Sequence, residues 1–364
     1  SNRNNIKLCG WCLMPASSGA GNYDAVVQAY NANDSAFIQH TVTLTDHITG
    51  CNFFRIDEGA TLVGGGFSIT IDNDSSGNSF INNGTISGLL DVIITNPNGT
   101  SKFNANGQGG NVRNLTANHS GTVITFDNET QILDGNLTVT EGAVTCLDSD
   151  GTTSCNLDVA GDILVENGGT LTGAAASIEA RSLTVDSGGT YNATSEVTKI
   201  QGSRAADAYG LDLKDGTVEH NNGTVRYEGA GGTQLNFADT HIYNLELNVT
   251  SSGGSGITLY GDESNSVTIN NNFTMENGSG VGILVPLSST GYEFTVRNNM
   301  YMKYFDRTVN ENMQFGYNQT CTGTWTVEGT LSLLNANEKV RIRATSGTFN
   351  LGGLINDGGR IDSQ

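Results

Sequence analysis

One phrase recurs along this chain and limits what it can fold into: apolar, any, apolar, polar, any, glycine, small. It reads Phe54-Arg-Ile-Asp-Glu-Gly59-Ala60 and Leu137-Thr-Val-Thr-Glu-Gly142-Ala143. It returns as Val165-Glu-Asn-Gly168-Gly169, Leu183-Thr-Val-Asp-Ser-Gly188-Gly189 and Leu211-Asp-Leu-Lys-Asp-Gly216-Thr217. Looser copies are Phe273-Thr-Met-Glu-Asn-Gly278-Ser279 and Trp325-Thr-Val-Glu-Gly329-Thr330. Alternation turns one row of side chains inward and the next outward, as a half-buried strand requires. The glycine then permits a corner with φ > 0. Starts at 137, 163, 183 and 211 lie 26, 20 and 28 residues apart, one supersecondary unit per repeat.

A unit of that size cannot bury its apolar row alone, so units must stack on one another. The economical stack is a parallel β-solenoid, an all-β fold in which each coil bonds to the next at about 4.8 Å. Tandem β-sandwiches are the alternative, since short strands with frequent turns read similarly. Helix is scarce; Tyr23 to Tyr30 is the one candidate, suited to capping the first coil. Residues 1–50 lack the phrase and read as a cap or attachment segment, and residues 51–285 as coils. Residues 286–320 crowd aromatics and read as an insert or contact region, and residues 321–364 as the final coils. A start at Ser1 without Met reads as a processed or trimmed chain.

Charge removes several functions. With 17 Lys and Arg against 37 Asp and Glu, the net charge is −20, so nucleic acid is excluded as a partner. No stretch reaches the roughly 18 apolar residues of a membrane helix, so membrane insertion is not expected. Six cysteines bear on compartment. Cys146 and Cys155 bound a polar loop and read as a local disulfide, which favours an oxidising setting. Cys9 and Cys12 form a Cys-x-x-Cys without the βαβ context of a redox motif. They read as structural disulfide candidates with Cys51, Cys321 or a neighbouring subunit.

Fourteen Asn-x-Ser/Thr tripeptides occur where composition predicts roughly 8. Asn98, Asn192, Asn222 and Asn248 are the candidate glycan carriers, and the competing reading is that Asn and Thr simply suit corners and strands. Asp72-Asn-Asp74 and Asp148-Ser-Asp150 offer Ca²⁺ two carboxylates each, without the twelve-residue calcium loop or the nonapeptide of calcium-binding solenoids. No cofactor is therefore expected. No paired-carboxylate segment, nucleophile elbow or phosphate loop stands out, so the catalytic set is empty. Tyr292, Tyr301, Tyr304, Phe305 and Tyr317 are the candidates for stacking on a sugar or a partner.

The phrases Gly135-Asn-Leu-Thr-Val, Gly161-Asp-Ile-Leu-Val, Thr217-Val-Glu-His-Asn-Asn-Gly-Thr-Val225 and Ile242-Tyr-Asn-Leu-Glu-Leu247 resemble the repeat-rich parallel β-helices of phage virions. Those are fibre, tail or capsid-attached proteins; prokaryotic surface adhesins and filament subunits have a similar texture. The resemblance covers residues 51–285 in style and supplies no catalytic residue. The six cysteines depart from it and keep a cell-surface origin in view. The expectation is a non-enzymatic structural protein on a virion or cell surface, self-associating into oligomers or filaments through its solenoid ends. Surface glycans and other virion proteins are the further partners. A glycan-binding adhesin is the first alternative, and a polysaccharide lyase or hydrolase the second.

Overall fold

The computed structural model describes residues 23–24, 34–73, 76–126, 130–148, 151, 153–213, 215–237, 241–249, 257–261, 266–277, 292–304, 313–315, 323–334, 340–344 and 348–363. Within them the chain is all β, without helix, and its parallel strands stack as a β-solenoid. Two compact units result: residues up to Ile178 with Gly188–Thr190, and Glu179–Ser187 with Tyr191 onward.

In the first unit the register can be followed as a column. Ile48 pairs with Ile69, Ile69 with Val92, Val92 with Leu115, Leu115 with Leu137 and Leu137 with Ile163. All six are fully or almost fully buried. A second column is aromatic: Phe54 lies on Phe80, Phe80 on Phe103 and Phe103 on Phe126, with centroids 5.9, 5.4 and 6.3 Å apart. The alternation responsible is plain in Asn114–Phe126, where Leu115, Ala117, Ile124 and Phe126 are buried and Asn114, Thr116 and Thr125 are half-exposed.

The second unit repeats the design. One column runs Val225, Leu245, Phe273, Met300, Leu331, Leu354. Another runs Val267, Phe294, Trp325, Phe349. Like sits on like because a parallel, in-register stack places equivalent positions of successive coils directly over each other.

The corners behave as the repeat predicts, by two physical routes. Gly142 has φ +83°, and a Cβ there would lie 2.4 Å from the Thr122 carbonyl oxygen, so both conformation and space demand glycine. Gly216 lacks a positive φ, but its Cβ would meet Val185 at 2.3 Å.

Several boundaries differ from the sequence reading. The parallel ladder already runs at Asp34–Ile38, on Ile48–Ile56, inside the segment read as a cap. Tyr23–Asp24 is a strand paired with Val42–Thr43 rather than the start of a helix, because an open parallel edge offers those two residues a ladder; residues 25–30 of the expected helix lie outside the described residues. The aromatic stretch is not an insert where it is described. Tyr292–Val296 lies on Ser266–Ile269, and Met300–Tyr304 on Phe273–Asn277, both as ordinary rungs. Aromatics fit there because the inward column of that unit is itself aromatic.

Candidate functional site

Three arrangements stand out from the regular stack, the first at its corners. In the first unit Asn114 Nδ2 donates to Asp91 Oδ1 at 2.8 Å. Asn114 Oδ1 then accepts from the backbone N–H of Asn136 at 2.7 Å, and Asn136 Oδ1 from that of Asp162 at 2.9 Å. The second unit does the same with Asn244, Asn272, Asn299 and Thr330: each side-chain Oδ1 accepts from the next backbone N–H, at 3.3, 3.1 and 2.9 Å. In both units the ladder residue immediately precedes the inward residue of its coil, Leu115 and Leu137 in one and Phe273 and Met300 in the other. A side chain here supplies the acceptor that the turning backbone cannot.

The second arrangement is a polar cluster in the second unit. Asp212, Asn236 and Tyr260 occupy one outward column in three successive coils. Asn236 Nδ2 donates to Asp212 Oδ1 at 2.9 Å, and Asn236 Oδ1 is buried with no hydrogen-bond partner. Tyr209 meets Tyr260 edge to face at 6.4 Å. Arg204 pairs with Asp207 through two nitrogens, and Ala208 between them and the strand has φ +65°. Burial raises the Asp212 carboxyl above its ordinary range, against the lowering effect of the Asn236 amide and the Arg204 charge. Asp207 moves the other way, lowered by the Arg204 guanidinium.

The third is the final described coil. Strand Thr348–Asn356 lies on Gly323–Leu334, and Arg360–Ser363 on Val340–Ala344. Leu354 stands over Leu331 and Ile361 over Ile342, so both continue buried columns. Yet Leu354 is 49% exposed where Leu331 is 1%, and Ile361 is 40% exposed where Ile342 is 2%. Ile355 beside them is 54% exposed.

No protein family, curated protein or solved structure matches the chain.

The residues singled out from sequence are distributed as follows. Cys146 and Cys155 are both buried and face each other across a short antiparallel hairpin, Cys155 N–H donating to the Cys146 carbonyl at 3.1 Å. No bond joins them in the structure, and burial raises the Cys146 thiol above its ordinary range. Cys51 is buried with its Sγ on the Phe53 carbonyl at 3.1 Å; Cys9, Cys12 and Cys321 lie outside the described residues. Asn98 and Asn222 are exposed, Asn222 with φ +60° and its N–H on His220 Nδ1. Asn192 and Asn248 are half-buried, and Asn248 Nδ2 reaches Glu228 Oε1 at 3.4 Å.

Tyr301 is half-buried beneath Lys303, whose Nζ is 6.0 Å from the ring centroid. Tyr292 and Tyr304 are placed by their backbones alone, and Phe305 and Tyr317 fall outside the described residues. Of the calcium candidates, Asp72 and Asp148 are described and Asp74 and Asp150 are not; among the described residues no three His, Cys, Asp or Glu side chains converge. Sequence reasoning missed the Asx ladder, the Asp212 cluster and the bare final coil. The ladder was within reach, since Asp91, Asn114, Asn136 and Asp162 each stand just before a repeat-phase apolar residue.

Proposed function

We propose that this chain is a non-enzymatic structural protein displayed on a virion or a prokaryotic cell surface, as a fibre, filament subunit or decoration that associates with copies of itself. The observation that carries the reading is the regular stack itself, parallel coils whose inward columns are buried rung after rung, so that each coil rests on its neighbours. Parallel coils of this kind present ladder edges on which a further coil can pair, and another copy of the same fold can supply one. The long rows of outward Thr, Ser and Asn and the charge of −20 suit a body whose other faces stay in water. Sedimentation over a wide concentration range tests it. Defined oligomers or filaments are expected, and a monomer at every concentration together with sugar-cleaving activity would replace this reading by the enzymatic one.

A glycan-binding reading has one observation in its favour, the Asp212–Asn236–Tyr260 column, which sets an acceptor, an amide and an exposed ring in line. Binding of neutral oligosaccharides that is lost in Tyr260→Ala and kept in Tyr301→Ala would establish it.

A further inference from the structure

Asn236 stands between two unlike neighbours in its outward column, Asp212 on the coil before and Tyr260 on the coil after. Its amide gives Nδ2 to Asp212 Oδ1 at 2.9 Å. Because the amide is planar, Oδ1 then turns away from Asp212, to the side of the column where Tyr260 stands. Asn236 is 9% exposed, and that oxygen has no donor within hydrogen-bond reach. A buried acceptor left unmet calls for a reason, since native chains pair nearly all such atoms.

The groups around it define what would meet it. Arg204, whose charge reaches Asp212, already directs two nitrogens to Asp207. Asp212 accepts one bond from Asn236, and a carboxylate has acceptor sites beyond that one. Tyr209 meets Tyr260 edge to face at 6.4 Å, which leaves Tyr260 at least one ring face, and the residue is 37% exposed. The unfilled capacity of the column is therefore a carbonyl oxygen, a carboxylate and an aromatic face. All three take a donor, and a charged donor best: an ammonium gives N–H bonds to two oxygens and is drawn to the face of a tyrosine. A hard metal ion takes about six oxygens or more, and among the described residues no three His, Cys, Asp or Glu side chains converge to supply them. Successive coils lie about 4.8 Å apart, so Tyr260 extends the column beyond the two oxygens and suits a ligand with a ring behind its ammonium.

We propose that this column binds a sugar carrying a free amine, its ammonium held between Asp212 and Asn236 Oδ1 and its ring against Tyr260. The inference rests on the glycan-binding reading above and narrows the ligand from a neutral sugar to an amino sugar. The ligand enters from the side of Tyr260, the exposed member of the three.

Isothermal titration calorimetry of the full chain tests it, comparing a glucosamine tetramer with the fully N-acetylated tetramer. The amine form is expected to bind at least about tenfold tighter, and Asp212→Asn to bring the two within about twofold. That change keeps an acceptor for Asn236 Nδ2 and removes the charge. If circular dichroism shows that it does not fold, Tyr260→Ala, a change at an exposed ring, must weaken the amine form about tenfold instead. Glu276→Gln takes a charge from a residue paired with Lys303 and is expected to leave the preference intact. A preference lost equally there is general attraction to an acidic chain and overturns the site. A simple diamine that binds as tightly as the glucosamine tetramer overturns the part given to the sugar ring. Equal binding of the two tetramers overturns the ammonium contact and leaves the glycan-binding reading standing, and binding of neither removes both.

Discussion

At the scale of single residues, the asparagines carry two roles that one tripeptide pattern conceals. Asn114, Asn136 and Asn272 all begin Asn-x-Thr, yet their side chains close hydrogen bonds to neighbouring coils. The tripeptide arises there because a ladder Asn is followed by an inward apolar residue and then an outward Thr. Part of the excess of such tripeptides over chance thus has a folding cause, and those three positions are poor carriers of glycan. Asp212 offers a sharper test. Its folded carboxyl is raised by burial, so the folded state favours the neutral form and the benefit is lost as pH climbs through the carboxylate range. Asp212→Asn is therefore expected to raise the melting temperature at pH 7 and to leave it unchanged near pH 3, as calorimetry at the two values would show. Cys146 is held as a thiol by burial, so little of it is nucleophilic near neutrality. Alkylation followed by mass spectrometry is expected to find it unmodified at pH 7.5 until the chain is denatured.

At the scale of strands and columns, burial outranks the polar ladders in energy. Phe103→Ala would open a cavity between Phe80 and Phe126 and is expected to cost about 3–5 kcal/mol. Asn136→Ala removes one bond whose backbone partner, Asp162 N–H, is accessible to water, so its cost is expected near 0.5–1.5 kcal/mol. Denaturant melts of the two variants check the ranking. Ladder bonds of this size fix register more than they hold the coils together, since a slip of one residue would break all of them at once. This scale was also the most legible in the sequence. The period of the apolar-x-apolar-polar-x-Gly phrase leads to parallel coils directly, because Gly142 and Gly216 answer to geometry that any tight corner imposes. What stayed hidden was pairing that depends on coil length. Asp212, Asn236 and Tyr260 are 24 residues apart in sequence and adjacent in space, and nothing local marks them. The aromatic run around Tyr292 to Tyr304 misled for a related reason: its crowding resembles an insert, whereas in register Phe294 continues a column of large inward residues and Tyr301 stands on an outward row over Thr274.

At the scale of the molecule, core and surface come from the same construction. Each coil buries its apolar row on its neighbours, and the outward rows are left to Thr, Asn and paired charges such as Arg113 with Asp91 and Lys303 with Glu276. Those half-exposed pairs, still within reach of water, add little to stability individually. The uncompensated charge of −20 matters more for encounters between copies. Raising salt from about 20 mM to 500 mM shrinks the Debye length from roughly 20 Å to 4 Å and is expected to tighten self-association several-fold, because long-range repulsion is screened while apolar contact is not. Light scattering across that series would detect the opposite trend if charge pairing drove the contact. The most direct measurement is cryo-electron microscopy of the full chain at high concentration, without crosslinker. The account predicts oligomers or filaments in which copies meet in one defined geometry. Isolated particles at every concentration would contradict it.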